Sequence, residues 1–251
     1  MRESIATKTK LSDAEHMVQN ELLNLFKSCP MPENETIVNL GLFLRRQELS
    51  RILFMHELYQ HILNTNGIIL EFGVRWGQNL ALFQALRGMY EPYNYLRKIV
   101  GFDSFAGFQS VDDKDGNTDF TSQGAYSVTQ GYEEYLQKIL DCHEQESPLN
   151  HIKKHALIKG DATVTISQFL KENPETIIAL AYFDFDIYKP TLKCLEAIKG
   201  HLTKGSVIGF DELNTHEFPG ETIALKEVFG LDKYKIRRSL YNPAPSYIII
   251  D

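Results

Sequence analysis

Apolar residues along the 251-residue chain follow two spacings, short unbroken runs and helical intervals, and the two take turns. Ile68-Ile69-Leu70 is an unbroken run that reaches Glu71 and Gly73. After Gly77 the apolar positions Leu80, Leu82, Phe83 and Leu86 return at helical spacing, and Ile99-Val100-Gly101-Phe102 is a second run closing on Asp103. Residues 67–103 are thus predicted to be strand, glycine turn, helix and strand, a β-α-β unit. The alternation continues with a helix over 132–146, whose buried stripe would be Tyr135, Leu136, Ile139 and Leu140, and a strand over 155–158. A helix from near Ala162, a strand over 177–181, a helix carrying Leu192, Leu195 and Ile198, and a strand over 206–210 come next. A helix over 221–229 precedes two last runs, 234–236 and 247–251, joined through Asn242-Pro243-Ala244-Pro245, which predicts an antiparallel pair. The fold class is α/β, a doubly wound, mainly parallel sheet ending in antiparallel strands.

Upstream the pattern is helical only. Met17, Val18, Leu22, Leu23 and Phe26 recur at helical intervals behind the cap candidates Ser12 and Asp13, until Cys29-Pro30-Met31-Pro32 stops the run. Beyond the apolar knot Leu42-Phe43-Leu44, a second helix is predicted through Leu49, Ile52, Leu53, Tyr59, Ile62 and Leu63, ended by Asn64-Thr65-Asn66-Gly67. Residues 1–66 therefore read as a helical extension, a lid or an oligomerisation element, with 1–11 a polar lead, and 67–251 as the domain that forms the sheet. Residues 104–131 form a long polar loop of the kind that makes lids and binding loops. Within it Asp112, Asp113 and Asp115 precede Gly116, but no bidentate Glu follows at a calcium-loop offset, and a solvated turn is expected.

Bulk numbers narrow the function. A hydrophobic fraction of 43% suffices for a full core, and a net charge of -7 disfavours a nucleic-acid partner. Cys29, Cys142 and Cys194 are scattered and form no C-x-x-C pair, which suits reduced thiols in a cytoplasmic protein. No leader-like apolar segment and no run of about 18 apolar residues occurs, so no membrane association is expected.

Candidate chemistry sits where the strands end. Gly73 and Gly77 permit a tight turn and close approach of a ligand, and the Asp103 carboxylate can accept hydrogen bonds from a ribose diol, so an adenosine moiety is the implied guest. The dinucleotide fingerprint is not met, because Val74, Arg75 and Trp76 separate the glycines and the two bulky ones would crowd a pyrophosphate. That disfavours an NAD-dependent oxidoreductase and leaves a cofactor without phosphates. Asp161, after the third strand, can accept from an exocyclic amine of adenine or cap the next helix, and one role does not exclude the other. Two further strands deliver Asp184 and Asp186, then Asp211 and Glu212. Burying four carboxylates together is costly by repulsion and desolvation, so either a hard divalent cation such as magnesium joins them or they lie in water past the strand ends.

The motifs EFGVRWGQN, VGFDSFAGF, IKGDA, FDFDIYKPT and GFDEL, taken together and in this order, resemble those of the macrocin and mycinamicin sugar O-methyltransferases. That family depends on magnesium and S-adenosylmethionine and acts on deoxysugars of macrolides and related glycosides. The resemblance covers residues 67–251 and implies a seven-stranded class I methyltransferase sheet. It implies that Glu71, Gly73, Gly77, Asp103 and Asp161 line the cofactor, with Phe72, Asn79, Ser104, Ala162 and Asp184 beside them, and that Asp184, Asp211 and Glu212 bind magnesium. Two positions depart from pattern. Glu212 stands where the family usually has a second adjacent Asp, and the lysine that catechol-type relatives place three residues after the first metal carboxylate is here Ile187, whereas Lys189 has that spacing only from Asp186. Asp186 and His216 are the candidates for the base that takes the acceptor proton.

The expected activity is therefore S-adenosylmethionine-dependent, magnesium-assisted O-methylation of a sugar or glycoside, a small-molecule substrate. An O-methyltransferase for a catechol-like or other small hydroxylated acceptor is the alternative within the class, and a non-catalytic adenosine-binding module that associates through its N-terminal helices is the alternative outside it.

Overall fold

Seven strands pair edge to edge into one sheet in the computed structural model, which describes residues 12–116 and 121–251. The reading of residues 1–11 as a polar lead lies outside the described residues. Strands β1 (Ile68–Phe72), β2 (Ile99–Asp103), β3 (His155–Lys159), β4 (Ile178–Phe183), β5 (Leu202–Phe210), β6 (Arg237–Arg238) and β7 (Ser246–Ile249) lie in the order β3-β2-β1-β4-β5-β7-β6. The first five are parallel to one another, and β7 runs antiparallel to both β5 and β6. The direction of winding reverses between β1 and β4, and a crevice at such a switch point is where α/β sheets bind ligands.

Helices cover both faces, which is why β1 and β4 are buried at every position and read as continuous apolar runs. On one face α6 (Ala162–Glu172), α7 (Tyr188–Ile198) and α8 (Pro219–Phe229) pack Ile166, Leu195 and Leu225 against Leu70, Phe183 and Ile208. On the other, α4 (Gln78–Tyr90), α5 (Tyr132–Glu146) and the second half of α3 (Arg46–His61) bring Phe83, Leu140 and Leu58 to Ile69, Leu180 and Val207. Phe102, Phe72, Phe183 and Phe210 occupy one register across the four central strands and stack at 5.2, 4.7 and 5.5 Å between centroids. Each such pair contributes about 0.5–1.5 kcal/mol beyond its buried area. The ladder forms a rigid apolar floor directly beneath the strand ends.

The chain divides into two compact units, one ending at Arg51 and the other Ile52–Asp251. In the first, α1 (Asp13–Lys27) starts at Ser12 with a reciprocal capping box to Glu15, as the cap candidates predicted, and buries none of its residues. A short helix, α2 (Glu33–Val38), follows Pro32; too polar and too brief for a periodic stripe, it was not expected. Two other expectations need correction. Tyr135 is exposed on α5, where Leu136, Leu140 and Glu144 are the buried positions. The run 234–236 is not a strand: Tyr234 packs edge-on against Phe229 at 5.9 Å, and pairing with β7 begins only at Arg237.

Candidate active site

All five parallel strands end on the same rim, and each acidic residue singled out above stands there. Glu71, at the end of β1, is fully buried and accepts from the Asn79 amide at 2.9 Å. Phe72 is a rung of the aromatic floor. The turn that follows is shaped by two glycines in the left-handed region, Gly73 at φ 89° and Gly77 at φ 79°. Their missing Cβ atoms serve the protein itself: a Cβ on Gly73 would strike the Asp184 carbonyl, and one on Gly77 would strike the Leu136 side chain. Gly73 thus lets the β1 turn lie directly on the start of the β4 exit. Because its obstacle is backbone, Gly73→Ala is expected to lower the urea midpoint by more than Gly77→Ala, whose obstacle can rotate away. Each would also bear the roughly 1–2 kcal/mol of a left-handed non-glycine residue, and equal midpoints would contradict the close approach.

Asp103 at the end of β2 organises the rim beside it. Its carboxylate accepts from the Arg75 amide at 2.7 Å and the Phe105 amide at 2.6 Å, and Gly160, after β3, donates to its carbonyl at 2.9 Å. Burial pushes the Asp103 carboxyl up, and those two amides pull it part of the way back. Ser104 next to it is a turn former, donating to the Gly107 carbonyl at 3.2 Å and accepting from the Ala106 amide at 3.2 Å. Asp161 is exposed and caps α6, accepting from the Thr163 amide at 2.9 Å, with Ala162 buried behind it. The cap is present, and the carboxylate faces solvent where a ligand can also reach it.

Past β4, Asp184 is half-buried, its amide bonded to the Phe72 carbonyl at 2.8 Å; Asp186 is buried at φ 62°. Past β5, Asp211 is 8% exposed and accepts from the Tyr182 hydroxyl at 2.6 Å, and Glu212 is half-buried. His216 and Lys189 are both exposed, His216 on the loop before α8 and Lys189 on α7. Among the described residues, no three His, Cys, Asp or Glu side chains are gathered closely enough to hold a metal ion as they stand.

Two groups that no local pattern marked, Glu221 and Tyr126, complete the rim, and a third, Asp115, departs from its expected place. Glu221, in the first turn of α8, is fully buried; burial pushes its carboxyl well up, and the charges of Asp186, Asp184 and Asp211 push further. Tyr126, from the long loop, packs against Phe108 at 5.2 Å with the Arg75 guanidinium 5.0 Å over its ring. Its hydroxyl is pushed up to about 12 by burial and then by the charge of Asp186, with smaller contributions from Glu212 and Asp184. Asp115, expected in a solvated turn, is instead buried and accepts from the Tyr188 amide at the start of α7, while Asp112 and Asp113 stay at the surface. Lys114 beside it reaches the Tyr188 hydroxyl at 2.8 Å and Glu227 at 2.7 Å, so this stretch is strapped to α7 and α8.

Two solved structures of one protein are similar over nearly the whole chain. CalS11, a calicheamicin methyltransferase, is 43% identical over 99% of both chains with a TM-score of 0.93. The apo structure of CalS11, a TDP-rhamnose 3'-O-methyltransferase of calicheamicin biosynthesis, is 42% identical over 96% of both chains with a TM-score of 0.85. The O-methyltransferase NovP, 14% identical over 80% of this chain and 79% of its own with a TM-score of 0.60, shares the fold. No protein-family model matches the chain, and no curated protein matches it.

Proposed function

The chain belongs to the S-adenosylmethionine-dependent sugar O-methyltransferases, and from that premise we propose that it methylates a hydroxyl of a deoxysugar carried on a nucleotide. The observation that carries this reading is the 43% identity over 99% of both chains with a sugar O-methyltransferase. The carboxylate-lined rim at the switch point is consistent with it. Among the described residues no helix is long and apolar enough to cross a membrane.

In this proposal the cofactor lies along the rim from β1 to β3. S-adenosylmethionine supplies an electrophilic methyl group on sulfur, and what remains is to hold the acceptor oxygen in line with it at about 3 Å. Asp103 is well placed for the ribose diol, because backbone amides of the β1 turn and of Phe105 fix its carboxylate at the strand end. Asp161 and Ala162 would border the adenine, Ser104 would hold the turn beside the ribose, and Glu71, Phe72 and Asn79 would form the base of the pocket. Gly73 and Asp184 would keep the β1 turn seated against the β4 exit, and Gly77 would keep its far end against Leu136 of α5, the close approaches that the missing Cβ atoms allow.

Asp184, Asp211 and Glu212 are the proposed magnesium ligands. The donor set is of the kind a hard cation takes: it is all oxygen, and the charges of Asp186, Asp184 and Asp211, which push Glu221 up beyond what burial does, are what a cation would offset. When bound, magnesium would lower the pKa of the acceptor hydroxyl and fix its direction. Asp186, buried beside Tyr126, is the better-placed proton acceptor, and the exposed His216 the weaker candidate. Tyr126, Phe108 and Arg75 supply an aromatic and cationic wall on the acceptor side.

Incubation of the full chain with S-adenosylmethionine, magnesium and TDP-rhamnose, read by mass spectrometry, is expected to give a singly methylated sugar nucleotide and S-adenosylhomocysteine. Chelation of divalent cations is expected to stop turnover. Failure across a panel of nucleotide deoxysugars, with methylation of a catechol instead, would overturn the acceptor assignment.

A further inference from the structure

The first turn of α8 does more than begin a helix. Glu221 sends its buried carboxylate away from its own helix: one oxygen accepts from the amides of Phe185 and Asp186 at 3.2 and 3.3 Å, and the other from the amide of Glu212 at 3.2 Å. Thr222, the next residue, accepts from the Asn214 amide at 2.9 Å. A Cβ on Gly220 would lie against the Tyr188 amide and the Asp115 carboxylate, so this turn is wedged onto the start of α7. An ordinary acidic residue in a first helical turn sits in solvent near its own amides and serves the helix dipole. Glu221 instead joins the segment that leaves β4 to the segment that leaves β5. Both contain a non-glycine residue in the left-handed region, Asp186 at φ 62° and Asn214 at φ 61°, a conformation that persists only where neighbouring structure enforces it.

We propose that Glu221 is a positioning residue: it touches neither substrate nor cofactor, but by receiving backbone amides from both exits it sets Asp184 and Asp186 at a fixed distance and direction from Asp211 and Glu212. The inference deepens the magnesium reading given above and rests on it only for what the carboxylates hold. Outer-shell groups that orient ligands typically contribute 10–100-fold in metal affinity.

Mn²⁺ is the probe, titrated into the full chain and followed by electron paramagnetic resonance, with S-adenosylhomocysteine affinity measured by calorimetry in parallel. Glu221→Gln keeps the volume but sets an NH₂ donor against one of the bound amides; Glu221→Asp keeps both acceptors on a stem one methylene shorter. Mn²⁺ affinity is expected to fall at least tenfold in Glu221→Gln and less in Glu221→Asp, with S-adenosylhomocysteine affinity within about twofold of the parent in both. Unchanged Mn²⁺ affinity would overturn the inference, and so would a parallel loss of the sulfur ligand, which would mark a general folding role. If Glu221→Gln does not fold, Glu221→Asp carries the comparison under the same two criteria. If the parent chain itself takes up no Mn²⁺, the magnesium reading falls, and amide hydrogen exchange decides the positioning role. Faster exchange confined to residues 185–186 and 212–214 in the variants supports it, and unchanged protection there overturns it.

Discussion

Asp211→Asn is expected to lower kcat for methyl transfer by about 10²–10³-fold while S-adenosylhomocysteine affinity stays within about twofold. The substitution is isosteric and leaves an oxygen to accept from the Tyr182 hydroxyl, now at 2.6 Å, so the local packing survives and only a charge is removed. On the proposed reading that charge is one of three that hold the cation, and it lies outside the stretch of rim assigned to the cofactor. A second effect has the opposite sign. Asp211 is one of the charges that push the buried Glu221 carboxyl up, so the ligand-free variant is expected to melt at a higher temperature than the parent. Lower activity with higher stability is the signature of like charges gathered for function. Steady-state kinetics with TDP-rhamnose and a thermal melt without divalent cations check the pair. Unchanged kcat would remove Asp211 from the site, and a lower melting temperature would mean that the bond to Tyr182 outweighs the repulsion.

Glu144→Gln is expected to destabilise the fold by about 3–5 kcal/mol, because it leaves buried cations without their anion. Glu144 on α5 is 3% exposed, and its two oxygens accept from Arg87 Nη2 at 3.0 and 3.1 Å, from a side chain 1% exposed on α4 whose Nη1 donates to the Lys154 carbonyl. The Lys154 amide donates to it at 3.2 Å, the Lys154 ammonium pairs with it, and His155 Nδ1 lies 3.1 Å away at the start of β3. One carboxylate therefore ties two helices to the β3 edge of the sheet. Burial alone would raise its pKa; the bonds from Lys154 and His155 and the charges of Arg87 and Lys154 outweigh that and hold it at about 2. A folded-state pKa below the ordinary 4.5 means stability that is fully present above that value and lost as pH falls from about 4.5 toward 2. Urea denaturation at neutral pH should show the loss directly, and between pH 4.5 and 2 the parent should approach the variant. A change below about 1 kcal/mol at neutral pH would show the network to be dispensable.

Residues 91–98, between α4 and β2, hold the counterpart of this network and show why some of the structure could not be read in advance. Arg97 is buried and binds Glu91 at 2.9 Å together with the carbonyls of Ile62, Gly67 and Thr65. In the sequence it is one basic residue among exposed tyrosines, and nothing local distinguishes a buried cation from a solvated one.

The amino-acid sequence by itself determined six of the seven strands, the helices that alternate with them, the family and the rim on which Glu71, Asp103, Asp161, Asp184 and Asp211 stand. The reason is short range: a strand buried on both faces must be an unbroken apolar run, a covering helix must repeat every three to four residues, and a parallel sheet presents the residue just after each run at the same edge. Only the tertiary structure decided what those residues meet. Glu221 receives amides from Asp186 and Glu212, 35 and 9 positions away; Asp115 caps a helix 73 positions on; and Gly73 and Gly77 are glycines because the Asp184 carbonyl and the Leu136 side chain fill the space beside them. Such contacts depend on how separate elements pack, which no local spacing records, so a buried acid in a first helical turn and a solvated one look alike until the chain has folded.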